Sequence, residues 1–115
     1  MQLQYFVLKE FDCKETGNNE MCPLFLEKLE ALRAACGFAF IITSGYRDPS
    51  HSIEAKKTVP GTHAKGIAAD IYIGSGAEGY SIVKEAMKLG FTGIGVAKTF
   101  IHVDTRTTKP VVWCY

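Results

Sequence analysis

The chain has 115 residues, 47% of them hydrophobic, and a formal net charge of +1. That length fits a single domain over residues 1–115 and is too short for two, and the hydrophobic share excludes a disordered chain. The near-zero charge gives no footprint for nucleic acid or an anionic membrane, and no apolar run approaches the ~20 residues that span a bilayer.

The opening stretch "MQLQYFVLKE" lacks the basic-then-apolar pattern of a secretion signal, so the expected place of synthesis and residence is the cytoplasm. Within it "QYFVL" reads as a short strand or an extended arm. "DCKETGNNEM" is turn chemistry, and Pro23 then suits the first turn of a helix. Phe25, Leu29, Leu32 and Cys36 recur at helical spacing, with Glu27, Lys28, Glu30 and Arg33 on other faces, and Gly37 closes the helix.

"FAFIIT" at 38–43 is nearly continuous in apolar residues and reads as a buried strand. A long polar loop follows, from "SGYRDPSHS" to the turn at Pro60-Gly61; so long a loop in a small domain points to function. "GIAADIYI" at 66–73 reads as the next strand. Ser75 and Glu78 form a capping box that opens a second helix, with Tyr80, Val83 and Met87 as its apolar face and Gly90 as its stop. "GIGVA" and "FIHVDTR" then form a hairpin across Lys98-Thr99. The fold class expected is α+β, a small antiparallel sheet with helices packed on it.

Cys13, Cys22, Cys36 and Cys114 contain no C-x-x-C pair, which excludes a zinc knuckle or a thioredoxin-like motif. Without a secretion signal, reduced thiols are the expectation. Cys36 falls on the helix's apolar stripe, while Cys13 and Cys22 bracket a polar loop and are open to pairing or to sharing a metal.

Two histidine-aspartate pairs stand out, His63 with Asp70 and His102 with Asp104. All four emerge from apolar, strand-like segments, and His102 and Asp104 are two apart, hence on one strand face. An ionised carboxylate in such surroundings is costly unless it is paired or bound to a metal. Two imidazoles and a carboxylate can fill three positions of a tetrahedral zinc site and leave the fourth open for catalysis. Spacing alone leaves the choice open between that shared site and four separately satisfied polar residues.

The order of motifs narrows it. "SGYR" at 44–47, "THAKGIAAD" at 62–70 and "HVD" at 102–104 resemble the M15 family of zinc D-Ala-D-Ala peptidases, nearest to its small phage- and bacteria-encoded branch. "FDCK", "LEALRAACGFAFIITSGYR", "GFTGIGVAKTFIHVDTR" and Trp113 extend the resemblance along nearly the whole chain. It implies a fold like that of Hedgehog and the D-Ala-D-Ala peptidases. It also implies one zinc per chain, held by His63, Asp70 and His102, with Arg47 recognising a substrate carboxylate or carbonyl oxygen. A guanidinium suits that task through its fixed charge and forked donors.

The activity implied is hydrolysis of peptidoglycan stem peptides by a metal-bound water, as a D-Ala-D-Ala carboxypeptidase or a cell-wall endopeptidase. The setting implied is a phage endolysin released by a holin, or a bacterial protein of prophage origin, acting on the cell wall, and for so small a chain a monomer is the default expectation. Several branches carry an acidic residue three positions before the last ligand histidine, where this chain has Thr99. Asp104 is then the nearest carboxylate for a general base, or alternatively a group that orients a ligand, with Glu54 in the long loop as a further candidate. Thr62 replaces the family's usual serine and keeps the hydroxyl. His51 lies in a loop that departs from the family's common sequence there, and is expected to be exposed. The alternative function is a zinc-containing binding or structural domain that has lost turnover.

Overall fold

A computed structural model describes residues 3–59 and 61–115. In chain order it holds α1 (Pro23–Cys36), β1 (Ile42–Ser44), β2 (Ala68–Tyr72), α2 (Gly76–Leu89), β3 (Gly93–Val96), β4 (Phe100–Asp104) and β5 (Val111–Cys114). Single 3-10 turns occur at Leu8–Phe11 and Glu54–Lys56. The α+β class is as expected. None of these helices is long and apolar enough to cross a membrane.

The five strands lie in the order β1-β2-β4-β3-β5. β1–β2, β2–β4 and β3–β4 are antiparallel, as expected, but β5 joins the far side of β3 in parallel, so the sheet is mixed. Side chains alternate between the two faces. Ala69, Ile71, Ile94, Ile101 and Val103 point to the helix side, where they share one core with Phe25, Leu29, Leu32, Ile82 and Ala86. Asp70, His102 and Asp104 therefore point away from the helices.

α1 begins with Pro23 at its first turn and stops where Gly37 takes φ 76°, a left-handed conformation that a side chain would strain. The "QYFVL" segment forms no strand, since Gln4 and Tyr5 lie in a bend and Leu8 opens a 3-10 turn. The amides of Gln4, Tyr5 and Phe6 donate to the Glu30 carboxylate at 2.8–3.1 Å, and the Arg33 guanidinium lies over the Tyr5 ring at 4.4 Å.

Two expectations about packing need correction. The apolar run at 38–43 forms a strand only from Ile42, and Ile41 is exposed, because β1 is an edge strand with a solvent side. On α2 the core face is Gly79, Ile82 and Ala86, whereas Tyr80, Val83 and Met87 lie one residue round the helix, with Tyr80 and Met87 exposed. Both stripes have the same spacing, so periodicity cannot choose between them. Closeness does: a Cβ at Gly79 would already sit 3.2 Å from Ile73 Cδ1, so the side with the small residues is the one that fits against the sheet. The α2 cap is half of the expected box, with Ser75 Oγ accepting from the Glu78 amide while the Glu78 carboxylate accepts from the Gly74 amide instead.

Candidate metal centre

The site is built on the two central strands. Asp70 of β2 stands directly opposite His102 of β4, and Ala68 opposite Asp104, so register alone brings Asp70 and His102 together. His63 arrives from the turn before β2, where the amides of Lys65 and Gly66 close on the carbonyls of Gly61 and His63. His63, Asp70 and His102 are all buried, and one ligand atom from each lies within 4.8 Å of the others. Asp70 Oδ1 is 3.3 Å from His63 Nε2 and 3.0 Å from His102 Nδ1.

The remaining ring nitrogens are occupied from behind. His63 Nδ1 is 2.8 Å from the carbonyl oxygen of Gly45. A carbonyl only accepts, so Nδ1 carries the proton and Nε2 is left as the ligand atom. His102 Nε2 is 2.7 Å from Asp104 Oδ2, which likewise leaves Nδ1 to face Asp70. Here those two nitrogens face the Asp70 carboxylate as donors; on losing those protons His63 Nε2 and His102 Nδ1 would each offer a lone pair to the same small volume, and the donor set of two imidazoles and a carboxylate fits zinc.

Burial opposes ionisation of Asp70, but hydrogen bonds from His102 and His63, and their charges, outweigh it and hold the carboxyl well below its usual range. Burial also opposes a charged His102, yet its bonds to Asp104 and Asp70 prevail and raise its pKa. Asp104 is fully buried. Desolvation is again overcome, here by hydrogen bonds from His102 and Arg106, and its carboxyl too is held far down. Arg106 reaches it through Nε at 3.0 Å and a terminal nitrogen at 2.6 Å, and the Arg106 amide adds a third bond at 3.1 Å.

Outside the ligands, a cleft of about 830 Å³ opens over the site. Arg47 lines it, with one terminal nitrogen 3.8 Å from Asp70 and the other 3.9 Å from Glu54. Asp104 and Glu54 do not line it. Glu54 is buried behind Arg47, where burial is outweighed by Lys57 Nζ at 2.7 Å and the Gly61 amide at 3.0 Å, which keep the carboxyl below its usual range. His51 lies away from the ligands, paired with Glu15 at 3.2 Å, and is half-buried where exposure was expected. The four cysteines are free thiols, and among the described residues Cys13 and Cys22 belong to no metal cluster.

Sequence reasoning gave no role to the far wall. Trp113 and Tyr115, on and after β5, line the cleft together with Arg106. The Trp113 ring lies 5.0 Å from that of His102, and Arg106 stacks over Trp113 at 5.1 Å. The signal was present, since "VVWCY" after Pro110 is a β-branched and aromatic run bounded by a turn residue.

No curated protein matches the chain. The Peptidase M15 family model matches residues 3–104, a span that takes in all three candidate ligands as well as Arg47 and Asp104. The chain belongs to the M15 family of zinc-dependent metallopeptidases.

Proposed function

We propose that this domain hydrolyses peptide bonds in peptidoglycan stem peptides, as a D-Ala-D-Ala carboxypeptidase or a neighbouring endopeptidase. The observation that carries the reading is the convergence of His63 Nε2, Asp70 Oδ1 and His102 Nδ1, with the other nitrogen of each histidine tied to a fixed acceptor, the Gly45 carbonyl or Asp104. Zinc bound there supplies Lewis-acid polarisation of a carbonyl and a lowered pKa for water. In the reaction the water oxygen bonds to the carbonyl carbon, the C–N bond breaks, and the amine departs with a proton from the water.

The chain's own groups divide the remaining work. Arg47, on the cleft wall beside Asp70, holds the substrate's terminal carboxylate or steadies the oxyanion. Asp104 acts on His102 and not on water, because its oxygens are engaged by His102 and Arg106 and it does not face the cleft. The Trp113 ring shields one side of His102 from solvent.

A second reading, a zinc-containing binding domain without turnover, draws support from one observation. Among the described residues, Asp70 is the only carboxylate lining the cleft, so no free base stands there.

Zinc per chain, measured in purified protein with His102→Ala beside it, tests the site. Near one equivalent, lost in the variant, followed by cleavage of a stem pentapeptide on mass spectrometry, supports the peptidase. Bound zinc with no cleavage favours the binding domain, and folded protein that takes up no zinc rejects both.

A further inference from the structure

Among the described residues four cationic side chains line the cleft, Arg47, Lys57, Lys65 and Arg106, against the single acidic side chain of Asp70. Three of them already have acidic neighbours. Arg106 is bonded to Asp104, Lys57 to Glu54 at 2.7 Å, and Arg47 lies 3.8 and 3.9 Å from Asp70 and Glu54. Lys65 differs. Among the described residues no carboxylate comes within 4.0 Å of its ammonium. Its backbone is nonetheless fixed, because its amide donates to the Gly61 carbonyl at 3.1 Å in the turn that carries His63.

An unmatched ammonium on the lining of a cleft attracts an anion, and Lys65 lies on the same cleft as the ligands, two residues after His63. Arg47, nearer the ligands, serves the group at the scissile end. A second, separate cation is placed to pair with a second negative charge on the substrate. We propose that the cleft takes peptides with an additional carboxylate beside the scissile bond, and that Lys65 selects for it. This rests on the peptidase reading above and narrows its substrate class to acidic stem peptides.

The test compares L-Ala-γ-D-Glu-meso-diaminopimelate-D-Ala-D-Ala with the same peptide in which both internal free carboxylates are carboxamides. The zinc-loaded protein should favour the acidic peptide by about three- to five-fold in kcat/KM, expressed in KM, as an exposed ion pair allows. Lys65→Met should bring the ratio near one with kcat and zinc content unchanged, Lys65→Arg should keep the preference, and Lys65→Glu should reverse it. Raising the ionic strength should shrink the wild-type ratio.

Equal hydrolysis of the two peptides by the wild type, or an undiminished ratio in Lys65→Met, overturns the role of Lys65 and leaves the peptidase reading standing. Hydrolysis of neither peptide by zinc-loaded protein removes the peptidase reading, and the selection with it.

Discussion

Asp104 and Asp70 grip opposite nitrogens of the His102 ring, Oδ2 of Asp104 at 2.7 Å from Nε2 and Oδ1 of Asp70 at 3.0 Å from Nδ1. The imidazole therefore cannot rotate without breaking a buried bond. Asp104→Asn keeps the shape but removes the charge, and its amide can donate to Nε2 and drive the proton onto Nδ1. Zinc affinity should fall by roughly 10- to 100-fold with the fold retained. Competition with a chromophoric chelator reads this directly, and unchanged affinity would refute the orienting role.

Arg106 is the counterweight to that buried carboxylate. Arg106→Ala removes two side-chain bonds to Asp104 and the stack on Trp113. Stability should drop by about 2–3 kcal/mol, the range for stripping a partner from a buried charge. Urea unfolding with and without zinc is the measurement, and a loss confined to the zinc-free protein would show that the metal takes over part of the restraint.

Gly95 lies between His102 and Trp113 in a single cross-strand row. It is the gap that lets the indole reach over the imidazole, since a Cβ there would come within 2.6 Å of Trp113 Cε2. Gly95→Ala should displace the ring at a cost of about 1–3 kcal/mol, typical of overpacking. The emission of Trp113, the only tryptophan, should shift to the red as it meets water.

The N-terminal arm hangs on one carboxylate. Glu30→Ala leaves the amides of Gln4, Tyr5 and Phe6 without their acceptor, so the arm should exchange amide hydrogens faster and be cut sooner by protease. The loss in global stability should be about 1–2 kcal/mol, because these amides can turn to water. Zinc content should not change.

Burial, with a smaller push from Glu85, raises the Cys36 thiol to a pKa of about 11. At pH 8 it is almost wholly protonated and a poor nucleophile. Alkylation should mark the exposed Cys114 well before Cys36, and the Cys36 rate should climb steadily as pH approaches 11. Equal rates at pH 8 would show that α1 frays at its end.

The parts legible in the sequence were those governed by local chemistry. Pro23 and Gly37 bound α1 as read, and the hairpin of β3 and β4 follows from two apolar runs and a short link. His63, Asp70 and His102 were legible as one set only through the ordered motifs that resemble the M15 family, because buried polar groups could equally have been satisfied separately. What escaped is set by distance along the chain. The run "VVWCY" marks a strand, but nothing near residue 111 says that it will lie beside β3, so where Arg106 and Trp113 would act could not be read locally. Asp104 beside His102 and Glu54 in the long loop were the candidate bases, Asp104 alternatively a group that orients a ligand; both are buried against a cation and neither lines the cleft, which only the three-dimensional packing shows.

The pairing of Asp70 with His102 across β2 and β4 makes the site a witness to refolding. A slip of one residue between these strands would leave a compact, sheet-rich molecule, yet it would turn one ligand towards the helices. Circular dichroism would barely notice the error. Zinc stoichiometry would, so the fraction of refolded chains that capture the metal measures how often the chain finds its proper alignment.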